Sequence, residues 1–394
     1  MNIILKDRVN LHWWGNQILL VYNLSDYYIL TDEEKYLIEK LQKSNDIETV
    51  TQLISKETDL LQNVVKNFID IFLGNYSNFF SISSISSLIT ISGQKDMYYP
   101  LEMHISLTNK CMQQCIHCYK SANKNGVFIH YKHLITFLDR MQGYTPYLSL
   151  SGGEPTLHPN FSDIIDRYNN IYNISIMTSG YKIPHSLYTS FLKAKRGISL
   201  SIYSSNSNIH DSFANTKYSY DEIMHTIFYS LKLNIPVSVS TLLTNNNSSD
   251  IIKLINDLSN IGIKNISIGS IAPLGRAIDN SIKALNSIPI ELIHFIKTHE
   301  NINILVDICN KKVEYVDQKY LSPFKCFAGS LIWSIYETGE IQPCAIKSYN
   351  ELKLGQIDNF DDYILSDRTS YIKRISQMPL IKRLNLPNIY CPFN

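Results

Sequence analysis

The sequence predicts an α/β protein: a partial (β/α)6 TIM-like barrel, preceded by a winged-helix-like domain of three strands and three helices and followed by an α+β extension. Three observations predict it. Between residues 99 and 285, strand-like apolar runs alternate six times with segments of helical period. Before residue 80, three short apolar and aromatic runs give way to three amphipathic patterns. After residue 286, residues 331–336 alternate in strand fashion, Glu337-Thr-Gly-Glu340 reads as a turn, and residues 341–344 return.

Taken in order, residues 9–14, 17–22 and 27–30 are separated by Gly15-Asn16 and by residues 23–26, the pattern of an antiparallel meander. Thr31-Asp-Glu-Glu34 is a capping box opening a helix that carries Tyr36, Leu37, Ile38 and Leu41. A second helix carries Ile47, Val50, Leu53 and Ile54. A third carries Leu60, Leu61, Val64, Val65, Phe68, Ile69 and Phe72 at close to helical period. Residues 81–98, Ser-rich and then Gly93-Gln-Lys-Asp96, read as a linker. Barrel strands are expected at 103–107, 147–151, 173–178, 198–203, 237–243 and 265–270, with helical patterns such as Leu134-Ile135-Leu138-Met141 and Phe161-Ile164-Ile165-Tyr168 between them. Repeats of strand then helix imply a parallel sheet with right-handed crossovers, and a barrel of that kind keeps its chemistry at the C-terminal ends of the strands. The expected organisation is residues 1–80, a linker at 81–98, a barrel at 99–285 and an extension at 286–394.

A chain of 394 residues fits two or three domains. Apolar content of 44% and charged content of 18% describe a folded globular protein. The formal net charge of +1 argues against electrostatic capture of nucleic acid or anionic lipid. No apolar run has the length of a bilayer span and the start lacks a signal-peptide pattern, so no membrane association and a cytoplasmic location are expected. The cysteines number seven and fall in two groups, 111 to 118 and 309 to 391. An odd number so clustered reads as metal ligands rather than disulfides.

Cys111, Cys115 and Cys118 stand in C-M-Q-Q-C-I-H-C-Y, directly after the first barrel strand. Three thiols at this spacing can reach three corners of one metal centre and leave a fourth open, whereas a structural zinc site is closed by four protein ligands. A zinc knuckle lacking one ligand, or three unrelated core thiols, is the plain alternative. Cys₃ ligation with one free iron is what redox chemistry at an iron–sulfur cluster needs. The motif resembles that of the radical S-adenosylmethionine (SAM) enzymes. In that family the free iron of a [4Fe–4S] cluster chelates the amino and carboxylate groups of SAM, and an electron from the cluster cleaves a C–S bond to give the 5′-deoxyadenosyl radical.

The resemblance extends along the chain. Ser151-Gly-Gly-Glu-Pro155, after the second strand, is similar to the family's G-G-E-P motif, which binds the methionyl amino group; alone, G-G-E would be an ordinary tight turn. Gly152 and Gly153 allow close backbone approach to a ligand, and the Glu154 carboxylate can accept from an ammonium group. Thr178-Ser179-Gly180 occupies the place of T-N-G, with Ser179 in place of Asn, and Ser201 resembles the position whose hydroxyl meets the ribose or carboxylate of SAM. Both serines fit equally well as satisfied strand-end hydroxyls. His117 falls where relatives carry an aromatic residue near the adenine. His210-Asp-Ser-Phe-Ala214 departs from the family in lacking an Arg shortly after the Asp; Lys217 is the substitute cation nearby. Ala272-Pro-Leu-Gly-Arg-Ala277 resembles the P-x-G-R-A run at which peptide-modifying members leave the barrel.

Cys326 to Gly339 to Cys344 spells C-x12-G-x4-C, similar to the opening of the SPASM and twitch extensions that hold an auxiliary [4Fe–4S] cluster. Leu354-Gly-Gln-Ile357 also resembles those domains, but the second cluster's Cys run is missing. The resemblance therefore implies one auxiliary cluster held by Cys309, Cys326, Cys344 and Cys391; if Cys309 does not ligate, that cluster has an open iron. Residues 1–80, with an L-T-x-x-E entry to the first helix, resemble the PqqD-like domain, which binds the leader of a precursor peptide as an added strand. A generic accessory domain is the bland alternative. The whole implies a peptide maturase supplied with electrons by a donor such as flavodoxin or ferredoxin. It would install an oxidative cross-link, first of all a cyclophane joining an aromatic ring to a Cβ, with thioether formation or epimerisation as alternatives. A small molecule or cofactor as substrate is a further alternative.

Overall fold

The computed structural model describes residues 1–7, 9–22, 26–272, 274–282, 285, 288–299, 301–307, 329, 331–345, 353–361 and 363–366. The chain divides into two units, Met1–Leu101 with Tyr363–Arg368, and Glu102–Asp362 with Thr369–Asn394.

In the first unit, β1 (Asn2–Leu5) precedes the meander β2 (Val9–Trp14), β3 (Gln17–Tyr22) and β4 (Asp26–Ile29). Helices α1 (Asp32–Leu41), α2 (Ile47–Thr58) and α3 (Gln62–Asn75) follow. The Thr31 hydroxyl accepts from Glu34 N–H while the Glu34 carboxylate accepts from Thr31 N–H, so the expected capping box forms. Asp46 caps α2 by accepting from Thr49 N–H at 3.0 Å. Then come β5 (Phe80–Ser83) and β6 (Ile91–Ser92). The sheet order is β4-β3-β2-β6, and β1 pairs with β5 in a separate antiparallel ribbon. One face of each helix meets the sheet through Leu37, Leu41, Val50, Ile69 and Phe72, which pack with Leu11, Ile18 and Leu20; none is more than 1% exposed.

The unit has strands the sequence pattern did not announce. Residues 81–98, expected as a linker, supply β5 and β6, and β1 precedes the expected three strands. The alternation Phe80-Ser-Ile-Ser83 is too short and too Ser-rich to declare a strand; pairing with β1 decides it, Ile3 opposite Ile82 and Leu5 opposite Phe80.

His12 is fully buried in β2, between Ser92 Oγ at 2.9 Å from Nδ1 and the Tyr99 carbonyl at 2.9 Å from Nε2. A carbonyl only accepts, so Nε2 carries the proton and Nδ1 accepts from Ser92. Burial pushes the His12 pKa down from 6.5 to about 4, against the Tyr99 carbonyl, which works the other way. The unfolded chain therefore binds the proton first as pH falls: the contribution is whole above pH 6.5 and is lost down to about 4. Going from pH 7 to 5 should cost this unit about 2 kcal/mol. Chemical denaturation of His12→Gln across that range should show a flatter pH dependence than the unaltered chain; an unchanged slope would remove His12 as its cause.

The second unit alternates strands and helices. These are β7 (Glu102–Ser106), α4 (Tyr131–Met141), β8 (Tyr147–Ser151), α5 (Phe161–Tyr168), β9 (Asn173–Thr178), α6 (Tyr188–Lys193) and β10 (Ile198–Ser201). Next come α7 (Ser207–Ala214), α8 (Ser219–Lys232), β11 (Val237–Leu242), α9 (Ile251–Asn260), β12 (Asn265–Gly269), α10 (Arg276–Asp279), α11 (Ile290–Thr298) and β13 (Asn303–Asp307). The hairpin β14 (Ile332–Ile335) and β15 (Glu340–Gln342), then β16 (Gly355–Gln356), complete the sheet. Strands β7 to β13 are parallel and lie side by side in chain order. Among the described residues the sheet does not close on itself: β14 lies parallel along the other edge of β7, and β15 and β16 continue antiparallel. The α/β partial barrel is as expected; among the described residues β13 and β14 are parallel strands beyond the six barrel strands read from the sequence. The apolar side chains share one face of the sheet, where Met103, Ile105, Leu148, Leu150, Ile174, Ile176 and Leu200 are all fully buried, while His104, Ser149, Ser175 and Ser199 alternate to the other face.

At the opposite end from the strand C-termini, Glu102 opens β7 and is buried. Its Oε1 accepts from Arg196 Nη1 at 2.7 Å and Ser149 Oγ at 2.6 Å. Burial alone would raise its pKa; His104 and Arg196 outweigh that and hold the carboxyl well below the usual range. This pair joins the start of β7 to the residues leading into β10 and leaves the other rim for chemistry. Among the described residues no helix is long and apolar enough to cross a membrane.

Candidate active site

The chain leaves β7 at Ser106 and enters the loop that carries Cys111, Cys115 and Cys118. The loop is anchored before the first thiol and after the last. Cys111 N–H donates to Asn123 O at 2.9 Å, Lys110 N–H to Thr108 Oγ1 at 2.9 Å, and Ile116 N–H to Phe213 O at 2.9 Å. Cys118 N–H and Ser121 N–H fold the loop on itself, donating to Cys115 O and Cys118 O. The three thiols are free. Burial pushes Cys111 up to about 11 and Cys115 up to about 12, with the neighbouring thiols of the same trio adding to each.

Gly152 and Gly153 close the adjacent strand end against this loop. Gly153 N–H donates to Thr108 O at 2.6 Å and Glu154 N–H to Lys110 O at 2.8 Å. A Cβ on Gly152 would lie 2.2 Å from Thr108 O, and its φ of +145° is one that side chains rarely adopt. A Cβ on Gly153 would lie 2.3 Å from Lys110 O. Both obstacles are backbone, so neither glycine can grow without moving the loop. Gly153→Val should cost about 1–3 kcal/mol, read from its denaturation midpoint. A midpoint equal to that of the unaltered chain would mean the loop yields freely.

Glu154 is buried and its carboxylate is already satisfied within the chain. Oε1 accepts from Thr156 Oγ1 at 2.7 Å, Thr178 Oγ1 at 2.8 Å and Thr156 N–H at 3.3 Å. Oε2 accepts from Ser179 Oγ at 2.6 Å and Ser179 N–H at 2.8 Å. Glu154 thus ties the C-terminal end of β8 to that of β9 and brings Ser179 into the same cluster. Any added ammonium donor would share oxygens that already have partners.

Ser201, at the end of β10, lies near the phenol of Tyr203, a residue no motif marks. Tyr203 is 7% exposed, and its phenol lies near enough to Cys115, Cys118 and Cys111 to feel all three; burial first, then these thiols, raise its pKa well above the ordinary value. Its ring stacks on His210 and Phe213 and meets His117 edge-on at 4.7 Å. The sequence signal was its place two residues after Ser201, where strand alternation aims it to the same side. His117 therefore packs among aromatic rings. Its Nδ1 is buried without a hydrogen-bond partner among the described residues, and burial, with Arg276 and His210, pushes its pKa down to about 4. His210 is held by Tyr203 N–H and Ser219 Oγ. Asp211 accepts from Tyr218 N–H and Tyr220 N–H, shaping the α7–α8 turn. Lys217, on that turn, is exposed.

Beyond the third thiol, Lys120 binds Glu337 at 3.0 Å and donates to Ser106 Oγ at 2.6 Å, and Ser106 donates to Glu337 Oε2 at 2.7 Å. The pair couples the thiol loop to the β14–β15 turn, and neither partner is marked by a motif. Burial would raise the Glu337 pKa, and Lys120 beside it wins, holding it low. Between them Tyr119 lies close to Cys118 on one side and to Tyr336 and Cys344 on the other. Cys309, Cys326, Cys391 and Pro273 lie outside the described residues.

Among the described residues no three His, Cys, Asp or Glu side chains converge as the ligands of a single metal ion would. The donor set does fit an iron–sulfur cluster. Cys111, Cys115 and Cys118 stand on one short loop, and a cluster spreads its ligands over separate irons rather than one point.

Residues 105–258 match the radical SAM superfamily. The sporulation killing factor maturation protein SkfB of Bacillus subtilis (strain 168) is 24% identical over 278 residues, 68% of this chain and 65% of SkfB. The antilisterial bacteriocin subtilosin biosynthesis protein AlbA of the same organism is 25% identical over 284 residues, 68% of this chain and 60% of AlbA. The chain thus spans less than two thirds of either relative. Streptococcus suis SuiB, in its structure bound to the precursor peptide SuiA, superposes with a TM-score of 0.66 at 17% identity, covering 94% of this chain and 89% of SuiB. The thiol loop lies within residues 105–258, the stretch that matches the radical SAM superfamily, and SuiB shares the fold.

Proposed function

We propose that the protein is a radical SAM maturase of a precursor peptide, working in the cytoplasm with an external donor such as flavodoxin or ferredoxin. The observation that carries the reading is the trio of thiols on the loop after the first barrel strand, held against the Gly152–Gly153 backbone. The names of SkfB and AlbA and the SuiB–SuiA complex support a peptide substrate. When bound, a [4Fe–4S] cluster with SAM on its free iron would supply reductive C–S cleavage and a hydrogen-abstracting radical. Cys111, Cys115 and Cys118 would hold it, and Gly152, Gly153 and Glu154 would orient the methionyl end. Ser179 keeps Glu154 in place, Ser201 would meet the ribose or carboxylate of SAM, and the His117, Tyr203 and Phe213 rings would make a dry wall for a nucleoside. Cys309, Cys326, Cys344 and Cys391 would hold one auxiliary [4Fe–4S] cluster. In the first unit, residues 1–80 would dock the leader of the peptide.

The product we propose is an oxidative cross-link, first a cyclophane between an aromatic ring and a neighbouring Cβ. Co-expression with a short peptide encoded beside this chain, then tandem mass spectrometry, tests it. Loss of two hydrogens per event, with fragmentation blocked between an aromatic residue and its partner, is the expected result. A link through a Cys sulfur would replace the cyclophane with a thioether, and an unchanged peptide mass would overturn cross-linking. Anaerobically reconstituted protein that makes no 5′-deoxyadenosine would overturn the radical SAM reading itself.

A further inference from the structure

The thiol loop is gripped from outside by a segment about 160 positions later in the chain, a separation closed only by the complete barrel. Arg276 Nε donates to Cys115 O at 2.8 Å and Nη1 to Ala122 O at 2.8 Å, while Arg276 N–H donates to Cys118 O at 3.0 Å. Asn280, the residue that caps the C-terminal end of α10, donates from Nδ2 to Ile116 O at 2.9 Å. Gly275 makes the approach feasible: its φ is +52°, and a Cβ there would lie 2.4 Å from Tyr119 O and 2.6 Å from Cys118 O. Four donors from residues 276 and 280 thus hold four carbonyls of residues 115 to 122. Three thiols on a loop can serve one centre only if the loop keeps its shape, and here that shape is fixed by side chains that are not ligands.

Among the described residues Arg276 makes no salt bridge with a carboxylate. Its charge is turned toward the loop, within reach of Cys111 and Cys115. A cation beside an iron–sulfur centre favours the more negative, reduced form, because reduction adds one electron to the site.

We propose that Arg276 is a positioning residue for the thiol loop, fixing its shape through Cys115 O and Ala122 O and favouring the reduced state of the centre the loop would carry. The second half rests on the radical SAM reading; the first does not. The experiment uses the full-length chain and three variants, Arg276→Lys, Arg276→Gln and Asn280→Ala. In cluster-free protein, hydrogen exchange at the Cys118 and Ser121 amides should be about tenfold faster in Arg276→Gln, and also faster in Arg276→Lys, which cannot span two carbonyls. In reconstituted protein, redox titration followed by electron paramagnetic resonance should show a tenfold weaker reduction equilibrium for Arg276→Gln, about 59 mV for a one-electron couple. Arg276→Lys, which keeps the charge, should hold the potential of the unaltered chain while losing iron faster.

Equal exchange rates in all four proteins overturn the clamp. Equal potentials in the Lys and Gln variants overturn the electrostatic half. If Arg276→Gln does not fold, exchange in Arg276→Lys and Asn280→Ala decides the clamp, and a potential lowered in the Lys variant refutes the role of charge. An unaltered chain that binds no iron refutes the radical SAM reading, while the exchange rates still decide whether Arg276 shapes the loop.

Discussion

Cys115→Ala should lose the iron of the thiol loop and drop SAM cleavage to background while the barrel keeps its fold. Loss of an outer-shell partner already costs about 10–100-fold in metal affinity, so removing one of three protein ligands should exceed that range. The fold has little reason to respond. The main-chain bond at this position runs from Arg276 Nε to Cys115 O and survives any side chain. Exchange of a thiol for a methyl group should cost about 1 kcal/mol or less. Iron content, the visible absorbance of the centre and 5′-deoxyadenosine formation measure the first part, and thermal unfolding of cluster-free protein measures the second. Cys344→Ala belongs beside it, because iron on an auxiliary centre would otherwise hide the loss. Full iron and full cleavage in Cys115→Ala would show that the trio is not a ligand set.

Glu154→Ala should have the second largest effect, and on stability the larger one. It leaves the hydroxyls of Thr156, Thr178 and Ser179 and the Ser179 N–H without their shared acceptor. With each stranded buried donor worth about 1–3 kcal/mol, and with some finding new partners, a loss of about 3–5 kcal/mol is expected. Glu154→Gln separates two roles. Its amide oxygen can face Ser179 N–H, and its NH₂ can face the Thr156 and Thr178 hydroxyls, which can rotate to accept. Stability should fall by about 1–2 kcal/mol. If the carboxylate also takes the SAM ammonium, SAM affinity in Glu154→Gln should fall about tenfold, since a charged partner has been lost. Unchanged affinity would leave Glu154 as the tie between β8 and β9 alone. Calorimetric titration with SAM and denaturant melts read the two effects separately.

The barrel was the most legible part of the sequence, and the reason is physical. A strand with one apolar face alternates apolar with polar residues, as 147–151 and 173–178 do, and is cut off sharply by Gly, Pro or Asn, so β8 and β9 were read to their end residues. The thiol trio and the Gly152–Gly153 pair were legible because close approach and ligation tolerate few residue types. What pairing alone decides was not legible. β5 and β6 hide in a Ser-rich stretch because four and two residues carry no period of their own. Polar tertiary contacts were silent too. Nothing in Lys120 foretells Glu337, and nothing in Arg276 foretells which carbonyls it will hold. Glu154 shows the converse: its motif was plain, but its five donors come from its own chain and could only be counted in three dimensions.

The neighbour relation of β7 and β14 has a consequence for how the protein is made. β7 receives β8 soon after it is synthesised, but Glu102 waits for Ile332 on its other side, about 230 positions later, which at about 5–20 residues per second is roughly 10–50 s on the ribosome. For that interval the strand bearing the thiol loop has an unpaired edge of amides and carbonyls, open to any passing strand. A chain cut short before residue 331 would keep that edge for good, and should be collected as aggregate rather than as a smaller working enzyme.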